Sequence, residues 1–128
     1  MKNGEVVVRR ENNGHSFVPE RDYRIPAADV YETSEAYILM LDLPGATRDS
    51  ISLTLEKGEM RVKADVDPLH TQEGTLLLSE IGDSGFFRVF SIGDGIDTGN
   101  VDARYEQGVL TVKLLKSENV KPREIHIN

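Results

Sequence analysis

From Asp29 onward the chain is a series of short stretches in which apolar and polar residues alternate, and none keeps the recurrence of a helix. The stretches are DVYET, AYILMLDLPG, SISLTLEKG, EMRVKAD, TLLLSEI, GFFRVFSI, NVDARYEQ and GVLTVKLL, with Gly, Pro, Asp or Asn at most junctions. Successive side chains of a strand point to opposite faces, so each stretch offers one apolar face that needs cover. About eight such strands bury those faces by stacking two sheets, which predicts an all-β sandwich.

The alternation also assigns faces. Ile51, Leu53 and Leu55 share one side of their strand and Ser52 and Thr54 the other; Met60, Val62 and Ala64 point inward and Arg61 and Lys63 outward. Lys57-Gly58 and Gln107-Gly108 each join two strands through a tight turn in which glycine takes positive φ at little cost. In FFRVFSI the residues Phe86, Arg88, Phe90 and Ile92 fall on one face, which aligns a guanidinium with two aromatic rings. An unpaired charge there is costly. Arg88 therefore reaches a carboxylate, snorkels to water, or lies at an edge that another subunit completes.

Three regions follow. Residues 1–24 are polar, show no periodicity beyond Val6 to Val8, and read as a flexible arm; residues 25–116 hold the sandwich; residues 117–128 form a C-terminal extension. A length of 128 residues suits one domain. The net charge of -7, with Lys and Arg thinly spread, argues against nucleic acid. The absence of cysteine removes disulfides, thiolate nucleophiles and Cys-ligated metals. No run of 18 apolar residues exists to span a membrane and no secretory leader is evident, so a cytoplasmic protein is expected.

Strings that look catalytic have simpler explanations. GDSG at Gly82 to Gly85 is similar to the nucleophile loop of chymotrypsin-like proteases, but no pattern aims an imidazole at Ser84, and a turn before a strand accounts for it. DTG at Asp97 to Gly99 is found in small aspartic proteases, yet here it sits in a polar, glycine-rich stretch with 31 residues (128 minus 97) following. His15, His70 and His126 are isolated, and no GxxxxGK phosphate loop is present. No catalytic residue, metal site or cofactor is expected.

The end of the chain poses the opposite problem. In KPREIHIN, Ile125 and Ile127 point the same way on an extended backbone, and only one asparagine follows them. Pro122 removes a ladder donor just before them, which favours a break from the preceding strand. A two-pronged apolar edge of this kind needs cover from elsewhere.

From about Ile25 to Asn128 the chain resembles the small heat-shock proteins of the α-crystallin family. Four stretches carry the resemblance in order: PAADVYETSEAYILMLDLPG, FFRVFSI, ARYEQGVL and the I-x-I of KPREIHI. The resemblance implies an immunoglobulin-like sandwich that forms dimers through a loop strand, here within GTLLLSEI with Leu76, Leu77 and Leu78, paired to a neighbour's sheet edge. It places Arg88 at that dimer interface. It implies further that Ile125 and Ile127 dock in a groove lined by Ile51, Leu53, Leu55, Val101 and Ala103, usually on another dimer, and that the same groove holds clients when the tails release. The implied function is that of an ATP-independent holdase that binds partly unfolded client proteins. Departures are Leu115 and Gly93 where the family often has proline, and an arm offering mainly Val6 to Val8, Phe17 and Tyr23, so a homodimer or modest homo-oligomer is expected rather than a large shell. The alternative is a CS-type co-chaperone sandwich that docks one folded partner. Those domains lack the ARYEQGVL and IHI features.

Overall fold

The computed structural model describes residues 7–10, 23–66, 74–75, 77–78 and 84–118. Its strands are β1 (Val7–Arg10), β2 (Ala28–Glu32), β3 (Ala36–Asp42), β4 (Ser52–Glu56), β5 (Glu59–Ala64), β6 (Phe86–Ser91), β7 (Ile96–Glu106) and β8 (Val109–Lys116), with one 3-10 turn at Arg48–Ser50. They form two four-stranded sheets, ordered β1-β4-β5-β6 and β2-β3-β8-β7. All pairings are antiparallel except β1 with β4.

Seven of the eight expected strands form. TLLLSEI is the exception: its described residues Thr75, Leu77 and Leu78 lie outside any strand. The gain is β1, inside the segment expected to be a flexible arm. Its backbone runs parallel to β4 with Val7 opposite Ser52 and Arg10 opposite Leu55.

The two tight turns take the expected form. Lys57 and Gly58 have φ of 47° and 78°, and Gln107 and Gly108 have 51° and 80°. Two successive positive values define the hairpin turn whose twist matches that of the strands. The turns fix the registers Glu56 to Glu59 and Glu106 to Val109, and with them the faces. Leu41, Leu53, Met60, Val62, Leu110, Val112 and Leu114 are wholly buried between the sheets. Burial of each such side chain contributes about 1.5 to 3 kcal/mol.

The chain crosses between sheets at Leu43 to Ile51, and Tyr105 ties that crossing down. Its hydroxyl lies 2.8 Å from the Leu43 carbonyl and 3.1 Å from that of Ala46, donating its proton to this pair of acceptors. Burial raises the Tyr105 pKa above 10.0, although the Arg48 charge pulls it the other way.

The facing of β5 is as expected, but outward does not mean wet. Arg61 points outward from β5 but is only 8% exposed, and its Nη2 donates to Glu56 Oε2 at 2.7 Å. The stem lies on the sheet while the guanidinium meets a buried carboxylate. Alternation gives the side of the sheet, not whether water reaches it.

Candidate functional site

The sandwich has two long sides where its sheets end. On one, β4 and β7 are the outer strands of the seven-stranded body; on the other, β2 and β6 are. Both sides attracted expectations from sequence.

On the β4/β7 side, Ile51, Leu53, Leu55 and Ala103 are buried and Val101 is half-buried against them in one hydrophobic cluster. They are thus part of the one core between the sheets, with Val101 the most exposed of the five. Residues of β4 use one edge to pair with β5, while the other edge carries β1. Ile125 and Ile127, the expected occupants, lie outside the described residues.

On the β2/β6 side the packing is looser. β2 pairs with β3 through one edge, and among the described residues nothing pairs with the other. Val30 is opposite Leu39 and shares its inward face, yet it is 56% exposed, and Tyr31 on the outer face is 54% exposed. Beside Val30 opens a cleft of about 240 Å³ lined by Tyr37, Leu39, Phe90, Ile92 and Leu114. Ile25, Met40 and Val89 are exposed as well. An exposed Val30 beside an apolar cleft and a strand edge unpaired among the described residues are the marks of a binding surface.

Arg88 stands at the rim of this side. Its Nη1 donates to the Pro26 carbonyl at 2.8 Å, and its guanidinium lies 4.9 Å from the Phe90 ring centroid. Among the described residues the charge is met by a backbone dipole and an aromatic face, not by a carboxylate. Arg24 extends the same seam: its N–H donates to the Gly85 carbonyl at 2.9 Å, and the Phe87 N–H returns a bond to its carbonyl at 3.0 Å. This close approach requires glycine at 85, where a Cβ would stand 2.2 Å from the Ala64 carbonyl oxygen and 2.8 Å from the Tyr23 ring. Leu77 and Leu78 are 93% and 76% exposed; Leu76 lies outside the described residues.

Sequence reading missed the cleft, the exposure of Val30 and Tyr31, and the Arg24 seam. The signal for the first two is the composition of β2, where Val30 and Tyr31 put apolar groups on both faces. Arg24 had no local signal, because its partners lie some 60 residues away.

The candidates set aside for chemistry stay apart. Asp97 accepts from the Gly99 N–H and from Asn100 Nδ2, both at 3.0 Å, which is local turn bonding. The Ser84 carbonyl accepts from Arg24 Nη2 at 3.1 Å. His15, His70 and His126 lie outside the described residues. Among the described residues no three acidic or histidine side chains converge to hold a metal, and no helix is long and apolar enough to cross a membrane.

The described residues thus form a β-sandwich of two four-stranded sheets, with β1 of the same chain along β4 and no strand along the outer edge of β2. The family model "Hsp20/alpha crystallin family" matches residues 29–128. "18 kDa antigen 2" of Mycobacterium avium is 32% identical over 100 residues, which cover 78% of this chain and 72% of that protein. "Spore protein SP21" of Stigmatella aurantiaca is 35% identical over 104 residues, 80% of this chain and 62% of its own length. In structure, heat shock protein 16.0 from Schizosaccharomyces pombe aligns with a TM-score of 0.68 at 25% identity, over 83% of this chain and 77% of that one. The chain belongs to the Hsp20/alpha crystallin family: it is a small heat-shock protein built on an alpha-crystallin domain.

Proposed function

We propose that this protein is a holdase: it binds partly unfolded chains through the apolar β2/β6 side, without nucleotide and without covalent chemistry. The observation that carries the reading is the outer ladder of β2, unpaired among the described residues, with Val30 more than half exposed beside an apolar cleft and Tyr31 more than half exposed on the other face. A partly unfolded client offers the complementary features, namely extended backbone with unmade hydrogen bonds and loose apolar side chains. The same surface serves dimerisation, with Leu76, Leu77 and Leu78 of one subunit laid along β2 of another and Arg88 beneath the contact. The high exposure of Leu77 and Leu78 supports this, since leucines so placed gain most from being covered.

Larger assembly uses the terminal Ile125 and Ile127 on the β4/β7 side of a second dimer. Burying two isoleucines contributes roughly 3 to 6 kcal/mol. A few main-chain bonds add about 0.5 to 1.5 kcal/mol each, and ordering about five residues costs about 1 to 2 kcal/mol apiece. The balance is near zero, so a single tail exchanges readily and assembly depends on several together.

The test is suppression of aggregation. With a heat-labile enzyme at matched subunit concentration, light scattering should fall as this protein is added and fall less with Val30→Asp. Unchanged scattering at every ratio would remove the holdase reading.

A further inference from the structure

A strand has two ladder edges, and both edges of β4 are in use: β5 takes one and β1 the other. The β1 register, Val8 opposite Leu53 and Arg10 opposite Leu55, covers the stretch on which the terminal isoleucines are proposed to dock. One set of N–H and C=O groups cannot serve two partners. The two candidates are chemically alike, each short and β-branched with aliphatic residues two apart: Val6 and Val8 at one end of the chain, Ile125 and Ile127 at the other.

We propose that β1 is a displaceable plug of the β4 edge, which must leave before the terminal segment of a second copy of this chain can dock there. This rests on the terminal-docking reading above. Being tethered to the site it fills, β1 acts at a high effective concentration, whereas a tail must arrive from another molecule. Yet β1 is only four residues long and joined by a parallel ladder, the weaker kind, so it sits at the low end of local stability. Dilute, unstressed chains keep the plug in place. Heating, or a high local density of tails, releases it and assembly grows.

The test uses the full chain with Val7→Pro and Val8→Pro together. Alternate amides of the four paired residues face β4, so changing both Val7 and Val8 removes one of the two ladder donors whichever set is used. The probe is a labelled peptide KPREIHIN, followed by fluorescence anisotropy. The plug predicts at least tenfold tighter binding to the double-proline chain than to the parent, and larger assemblies by light scattering that Ile127→Asp abolishes. Equal affinity for both chains would overturn the plug while leaving terminal docking intact. No binding to either would discard terminal docking itself, and the plug with it. In the unaltered chain, amide exchange gives a second readout: added peptide should speed exchange at Val7–Arg10 while β4 stays protected, and unchanged exchange there would also overturn the proposal.

Discussion

The two long sides of this sandwich start from the same ingredients and end differently. On the β4/β7 side the inward residues Leu53, Leu55 and Ala103 are buried, and the outer ladder is filled by a strand from the same chain. On the β2/β6 side Val30 has the same inward facing but remains more than half exposed beside a cleft. What separates β4 from β2 is a strand on the outer ladder, since β1 lies along β4 and, among the described residues, nothing lies along β2. Where such a strand lies, the ladder contributes to folding; where none does, it is available to partners.

Substitutions on the two sides should therefore be felt in different measurements. Leu53→Ala removes a fully buried side chain and should destabilise the fold by about 2 to 5 kcal/mol. At about 4 °C per kcal/mol that is a fall of roughly 10 °C in Tm or more. Val30→Ser should change unfolding by less than about 0.5 kcal/mol, as surface changes do. It should instead shift the monomer–dimer balance toward monomer, measured by sedimentation. If Val30→Ser lowered Tm as much as Leu53→Ala, the open side would be core and the contrast would fail.

Tyr105 tests the closed side from its far end. Tyr105→Phe leaves the ring in place but strips the donor from the Leu43 and Ala46 carbonyls, which should cost about 1 to 2 kcal/mol in urea unfolding. A pH dependence should go with it. Burial raises the folded pKa above that of the unfolded chain, so the phenol's contribution is fully present below about pH 10 and is lost as pH rises through the folded value. The phenylalanine variant should lack that alkaline loss. Parallel stability curves for the two proteins above pH 10 would show that the hydroxyl is wet.

These two sides were unequally legible in the sequence. Alternation and turn glycines are local signals, and they located seven strands and both tight hairpins. Leu53 and Val112 need no distant information to be assigned to the core. The sequence signal weakens where the outcome depends on a partner strand. TLLLSEI has the composition of a strand, but the pairing expected of it is with a neighbour's edge, and its described residues Thr75, Leu77 and Leu78 lie in no strand of this chain. VVRR has no alternation to announce it, and the β4 edge that makes it a strand lies more than 40 residues on. Arg88 was rightly singled out as a charge needing an answer, but the answer, the Pro26 carbonyl, is 62 residues away. Ile51, Leu53, Leu55 and Ala103 are buried in the core and Val101 is half-buried against it, as the apolar alternation of their strands requires.

The smallest effect belongs to the rim of the open side. Lys116 Nζ lies 2.6 Å from Glu32 Oε2 at the end of β2, with the ammonium also 5.0 Å from the Tyr37 ring centroid. The hydrogen bond from Lys116, then its charge, holds the Glu32 pKa below 4.5. A depressed carboxyl contributes stability above its unfolded pKa, near 4.3, and loses it as pH falls through the folded value. Glu32 is exposed and the pair is screened by salt, so the gain to folding is slight and the readout should be the titration itself. An NMR titration of the Glu32 carboxyl should give a midpoint below that of an unpaired glutamate, and it should move back up with Lys116→Met. If β2 also carries a partner's strand, the midpoint should change further between conditions favouring monomer and dimer, because covering the rim removes the water that screens the pair. A midpoint indifferent to association would place the partner elsewhere and return the β2 edge to solvent.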